Sequence, residues 1–277
     1  MQRTALVDAH CHLNSERLDA TPTALLAEAA EAGVDAIVMA GVDPACWASQ
    51  QALVQAFPGR VHPVFGLHPQ VIPGLDAGAV DAALGALDAL LGRCRPVALG
   101  ETGLDRLTPE AQAALPLQEA AFAAQLGLAR RHALPVVLHL LRAEAPALAL
   151  LRRVGLPPRG GVVHSFSGAA PFARALVDLG LHVSFSGTLT LPQSRRLREA
   201  ARAVPRDRLL VETDAPDQVP WPARQDGPPR PNRPAHLRHV VAALAEARGE
   251  PFEAVAAITA ENARRLFDLP PFPVPSA

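Results

Sequence analysis

Short apolar, β-rich runs occur eight times along this chain, and alanine- and leucine-rich stretches of helical spacing lie between them. The runs cover residues 5–8, 36–40, 61–65, 97–100, 136–138, 161–163, 182–185 and 209–212. They are continuously apolar rather than alternating, which marks strands buried on both faces and covered by helices. Residues 116–132 illustrate the intervening type, with Pro116 at the start, Glu119 early and Arg130-Arg131 in the last turn. Eight such units in 277 residues is the arithmetic of an α/β protein built as a (β/α)8 or TIM barrel. A doubly wound open sheet uses the same ingredients and is the alternative. Barrels of this length are routinely single domains, and no repeat or linker divides residues 1–277. Residues 268–277 read as a proline-rich tail. Residues 216–234, after the eighth run, form a long connection of the kind that often serves as a lid or binding surface.

Composition narrows the chemistry. The chain has no lysine and no tyrosine, which removes Schiff-base catalysis, a P-loop lysine and a carbamylated lysine as a metal bridge. Catalysis must then come from His, Asp, Glu, Arg or a metal. A net charge of −1 gives no global drive toward nucleic acid. Cys11, Cys46 and Cys94 are too widely spaced for a CxxC site or a disulfide framework. The first run leaves no room for a signal peptide, and no apolar run reaches membrane-spanning length. A cytoplasmic protein with reduced thiols, no membrane contact and no obligate protein partner is the expectation.

His10 and His12 leave the end of the first run two residues apart. They therefore share one side of the pleat, about 7 Å apart along the backbone, and can converge on one ion. Cys11 faces the other way. Glu101 follows the fourth run, His139 the fifth, His164 the sixth, and Asp214 closes the eighth. All six sit at the carboxyl ends of strands, where barrel active sites are built. Singly, each has an ordinary explanation as a cap or loop residue; together, four histidines and two carboxylates on one rim point to metal.

Six donors exceed one closed zinc site and fit two ions with a shared bridge. With no lysine available, Glu101 is the expected bridge, His10, His12 and Asp214 hold one ion, and His139 and His164 hold the other. Asp214 is the expected proton acceptor for a water nucleophile activated by the ions. Imidazole with carboxylate suits zinc, manganese or iron, and magnesium in the carboxylate-rich part.

The chain resembles the TatD family of metal-dependent deoxyribonucleases, among the amidohydrolase-like barrels. The motifs are Asp8-Ala9-His10-Cys11-His12-Leu13, Gly66-Leu67-His68-Pro69, Gly100-Glu101-Thr102-Gly103-Leu104-Asp105, Val163-His164-Ser165-Phe166-Ser167-Gly168 and Val211-Glu212-Thr213-Asp214-Ala215-Pro216. Pro231-Asn232-Arg233-Pro234 and Glu261-Asn262-Ala263-Arg264-Arg265-Leu266-Phe267 extend the likeness over nearly the whole chain, and the loop from Asp214 to Pro234 is most similar to the YjjV-like branch. The resemblance implies a divalent-metal site at the six residues above, catalytic roles for Asp214 and Glu101, and hydrolysis of DNA phosphodiester bonds. It implies too that His68 sits near the substrate phosphate. Where the family has His-x-Arg, this chain has His139-Leu140-Leu141-Arg142, which shifts Arg142 by one residue and changes its direction.

Ten arginines fall between Leu191 and Val240. Arg195, Arg196, Arg198 and Arg202 have the spacing of a solvated helix face. Arg230 and Arg233, with Asn232 between them, are the better candidates for substrate contact, since guanidinium groups grip phosphate bidentately. Trp221 either stacks a base or anchors its loop. The substrate expected is single-stranded DNA or DNA ends, and the alternative is a non-nucleic ester, lactone or amide.

Overall fold

The computed structural model describes residues 5–225 and 229–270, so part of the loop before Pro234 and most of the expected tail lie outside the described residues. Its strands are β1 (Leu6–Cys11), β2 (Val34–Met39), β3 (Val61–His62), β4 (Val64–Phe65), β5 (Ala98–Asp105), β6 (Val136–Leu141), β7 (Gly161–Val163), β8 (Leu181–Phe185) and β9 (Leu209–Val211). Every pairing is parallel, in the orders β1-β2-β3 and β4-β5-β6-β7-β8-β9.

Between β3 and β4 stands Pro63, which has no N–H to contribute to a ladder. Its carbonyl still accepts from the Val97 N–H at 3.0 Å. The expected run 61–65 is therefore one strand cut in two, its first part paired with β2 and its second with β5. The two ends of the series meet at a seam, where the Asp214 N–H donates to the His10 carbonyl (2.9 Å) and the His12 N–H to that of Ala215 (2.8 Å). The sheet closes on itself as a TIM barrel, which rules out the open alternative.

Apolar side chains fill two layers. Val7, Val64, Val137, Val162 and Leu210 line the inside near the strand starts, where they meet Ala260, Ala263, Leu266 and Phe267 of the final helix, Phe252–Phe267. The later turns of that helix cover the amino-terminal mouth, while Val255 and Ala256 of its first turns belong to the outer layer. Leu6, Ile37, Phe65, Leu99, Leu138, Val183 and Val211 belong to the outer layer, under the covering helices. Among the described residues, no helix is long and apolar enough to cross a membrane.

Two strands outrun the expectation. β5 continues to Asp105 and β6 to Leu141, so Glu101 and His139 stand within strands instead of following them. The apolar run ends at these points but the ladder does not, since Gly103 still pairs with His139 and Leu104 with Leu140. Polarity here reflects the open carboxyl mouth into which the residues point.

Candidate metal centre

The six expected donors converge at that mouth, on Glu101. Its carboxylate is only 1% exposed, and its two oxygens face different neighbours. Oε1 lies 3.5 Å from His10 Nε2 and 3.7 Å from His12 Nε2. Oε2 lies 2.8 Å from His164 Nε2, 3.2 Å from His68 Nε2 and 3.7 Å from His139 Nδ1. Asp214 Oδ1 completes the first side, 3.8 Å from His10 Nε2 and 3.5 Å from His12 Nε2. Donors that share an ion about 2.1 Å from each are separated by such distances.

Local backbone puts these groups where they are. A register shift in β1 between Asp8 and Cys11 turns Cys11 into the outer apolar layer and leaves His10 and His12 facing the mouth. Beneath Glu101, whose N–H donates to the Gly41 carbonyl at 2.6 Å, the ends of β2 and β4 approach closely. A Cβ on Gly41 would stand 2.2 Å from the Gly100 oxygen, and one on Gly66 2.4 Å from the Gly100 carbonyl carbon, so only glycine fits at either place. Of the six non-glycine residues with positive φ among the described residues, four lie on this rim: Arg142, Ser165, Asp214 and Gln218. Backbone strain of this kind gathers at functional sites.

The electrostatics are those of a mixed donor cluster. Burial opposes ionisation of Glu101, but His68, His10 and His164 together hold its carboxyl well below the usual range. Burial likewise opposes the charged form of His164, yet Glu101 and Glu212 raise it well above the ordinary imidazole value. Asp214 is kept low against its burial by His12, His164 and His10. His68 behaves oppositely, pushed down to about 4 by burial. Several buried atoms find no hydrogen-bond partner: both ring nitrogens of His10, Glu101 Oε1, His164 Nδ1 and Glu212 Oε2. Each such group costs about 1–3 kcal/mol when left unmatched, and cations would match the lone pairs among them. The residues present fit divalent metal.

Sets of donors close enough to share an ion are His10–His12–Asp214, His10–Glu101–His164, His68–Glu101–His139 and His164–Glu212–Asp214. His68, expected beside the substrate phosphate, also stands within reach of the donor cluster. Its ring is 4.4 Å from that of His139, and its Nδ1 accepts from the Gln70 N–H at 3.0 Å.

Two carboxylates that the sequence reading did not single out stand behind the histidines. Asp105 Oδ2 is 3.0 Å from His139 Nε2 and accepts from Gln70 Nε2 at 2.7 Å, which leaves His139 Nδ1 facing Glu101. Glu212 Oε1 accepts from the Ser165 N–H at 2.5 Å and stands as a charged neighbour 3.5 Å from His164 Nδ1, while that ring's Nε2 faces Glu101. Such outer carboxylates fix ring orientation and raise donor strength. Spacing could have found them: Asp105 is four residues beyond Glu101 on one strand, and Glu212 two before Asp214. Asp8, fully buried, accepts from the Thr213 N–H at 2.8 Å and from its hydroxyl, which clamps β1 to the segment carrying Asp214.

The cluster opens into a cleft of about 730 Å³, lined also by Asn14, Gln70, Cys46 and Gln218. Arg17, another residue the sequence reading passed over, supplies a guanidinium at its edge and forks onto Asp217 (2.9 and 2.5 Å). The expected substrate contacts lie elsewhere. Asn232 is fully buried and spends its amide on the carbonyls of Thr213 (2.7 Å) and Gln218 (3.3 Å), tying the loop down. Arg233 is locked onto Glu28 (2.7 and 2.8 Å) and Asp19 (2.8 Å). Arg230 lines a separate cavity with Arg233 and His236. Arg142 is exposed and does not line the cleft. Trp221 is 41% exposed, and its loop is pinned through its backbone N–H to Thr190 Oγ1 at 2.6 Å.

A closed parallel barrel with histidine and carboxylate donors gathered at its carboxyl mouth defines a metal-dependent hydrolase. The sequence profile described as TatD related DNase matches residues 7–268, and the chain belongs to that family. Among its relatives is a metal-dependent hydrolase TatD of Mycobacterium tuberculosis, 38% identical over 271 residues, covering 95% of this chain and 98% of the relative. A protein named 3′-5′ ssDNA/RNA exonuclease TatD, from Klebsiella pneumoniae, is 33% identical over 272 residues, with the same two coverages. The crystal structure of YjjV, a TatD homologue from Escherichia coli, superposes with a TM-score of 0.87 at 32% identity, covering 97% of this chain and all of that one. Family and fold therefore agree with the resemblance drawn from the motifs.

Proposed function

We propose that this chain is a two-metal nuclease that hydrolyses phosphodiester bonds in single-stranded DNA or at DNA ends. The observation that carries this reading is Glu101, buried with one oxygen toward His10 and His12 and the other toward His68, His139 and His164. His10, His12 and Asp214 would hold one ion, His139 and His164 the other, with His68 beside them and Glu101 spanning both. Divalent ions there, zinc, manganese or magnesium, supply positive charge to the phosphoryl oxygens and acidify water.

The chain's own residues do the rest. Asp214, kept ionised by its histidine neighbours, accepts the proton of the attacking water and returns it to the leaving oxygen as the P–O bond breaks. Asp105 and Glu212 stand behind the His139 and His164 rings, and the Arg17–Asp217 pair borders the cleft. The nuclease named among the relatives supports the same substrate class.

The test is metal-repleted protein with end-labelled single-stranded DNA, beside Asp214→Ala. Shortened products from the wild type alone are expected, with about two metal ions per chain by elemental analysis. Intact DNA alongside turnover of a small ester, lactone or amide would overturn the substrate assignment, and well under two ions per chain would overturn the binuclear one.

A further inference from the structure

We propose that the chain seats one nucleobase of its substrate in a side cavity on the β6–β8 flank of the donor cluster, apart from the main cleft. This rests on the nuclease reading above and adds a subsite to it. The cavity measures about 200 Å³. Leu140, Leu141 and Leu197 give it apolar walls, and Ser165, Ser167 and Thr188 place hydroxyls around them. His139, Leu141, His164, Asp214 and Gln218 form the boundary it shares with the main cleft, so a group held here abuts the reacting phosphate.

Its size and lining select the occupant. The volume falls below the ~300 Å³ of the smallest drug-sized pockets, which suits one flat heterocycle and excludes a base pair or a folded oligonucleotide. Leucine faces accept the π surface of any base. Hydroxyls donate or accept as required, so the edge is held without a demand for one sequence.

The wall is built rather than incidental. Ser165 Oγ, Ser186 Oγ and Thr188 Oγ1 form a chain at 3.2 and 3.1 Å. Ser165 and Gln218 both hold positive φ, and Gly187 lets the Gln218 backbone press in, since a Cβ there would stand 1.7 Å from the Gln218 oxygen. At the lip, Arg196 donates to the Ser167 carbonyl at 3.0 Å. The main cleft, where Asn14, Gln70 and the Arg17–Asp217 pair stand beside Val42 and Val71, is the more polar of the two and takes the remainder of the strand.

The test compares a single-stranded oligonucleotide with the same strand lacking the base of its terminal nucleotide at the attacked end. Wild type is expected to cleave the abasic strand about tenfold more slowly. Leu197→Trp, which fills the cavity, and Ser167→Phe, which blocks the exposed lip, should each bring the ratio near one by slowing the intact strand, with folding checked by Tm. A second arm uses protein carrying 13C-methyl leucine, without added metal. Deoxyadenosine monophosphate should shift the methyls of Leu140 and Leu197, deoxyribose 5-phosphate should not, and Leu197→Trp should abolish the response of Leu140. Equal cleavage of both strands by wild type, or no methyl response to the nucleotide, overturns the subsite and leaves the nuclease standing. No cleavage of either strand by metal-loaded protein overturns the nuclease reading, and the subsite falls with it.

Discussion

The two mouths of this barrel are made from the same strands and treated in opposite ways. At the amino-terminal mouth, Val7, Val137, Val162 and Leu210 meet Leu266 and Phe267, and apolar packing is nearly complete. At the carboxyl mouth, the same strands end in imidazoles and carboxylates, several of whose buried atoms lack hydrogen-bond partners. One end supplies stability and the other spends it on preorganised charge. The contrast means that lesions at the two ends should separate cleanly, one kind removing activity and the other removing the fold.

The largest effect is expected at the carboxyl mouth. Asp214→Ala should lower nuclease turnover by about 10⁴-fold, while its midpoint in urea without metal falls only slightly, since its histidine neighbours and its positive φ both favour the native residue. A variant as unstable as it is inactive would break the contrast. At the opposite mouth, Phe267→Ala should cost about 3–5 kcal/mol in urea unfolding, with activity per folded molecule retained. Loss of turnover in the folded fraction would show the two ends to be coupled.

His182 sharpens the comparison, because it is a titratable group buried on β8, 4% exposed, with one ring nitrogen unpartnered. Burial pushes it down to about 4 from 6.5. Its neutral form therefore contributes fully above pH 6.5, and the contribution is lost as pH falls through 4, by at most about 3 kcal/mol. Stability of His182→Leu relative to wild type should rise as pH falls from 7 to 4; a constant difference would refute the assignment. The smallest effect is Asp105→Ala, expected to weaken metal binding about 10–100-fold in a chelator competition without removing a donor. Unchanged affinity would mean that Asp105 does not position His139.

Much of this was written legibly in the sequence, and the exceptions have physical causes. Apolar runs revealed the strands, and their spacing from His10, Glu101, His139, His164 and Asp214 placed all five on one rim. Runs end where apolarity ends, however, while ladders end where hydrogen bonds do, so β5 and β6 were read too short. Pro63 split a strand because apolarity says nothing about a missing N–H. A motif gives no distance, so only the structure shows that His68, expected beside the substrate phosphate, also stands 3.2 Å from Glu101. Asn232 and Arg233 looked like ligands for phosphate because loop polarity does not reveal the partner. One holds the backbone of Thr213 and the other answers Glu28 and Asp19, residues some 200 positions distant.

The seam between the Asp214 segment and β1 has a bearing on biosynthesis. The Asp8 clamp joins residues 205 positions apart, and the same junction brings His10 and His12 to Asp214. A chain emerging from the ribosome exposes its histidine pair long before the acid that completes the set is made. Closure of the ring and assembly of the hydrolytic centre are thus a single late event. Translation arrested before Thr213 yields neither a barrel nor a working blade.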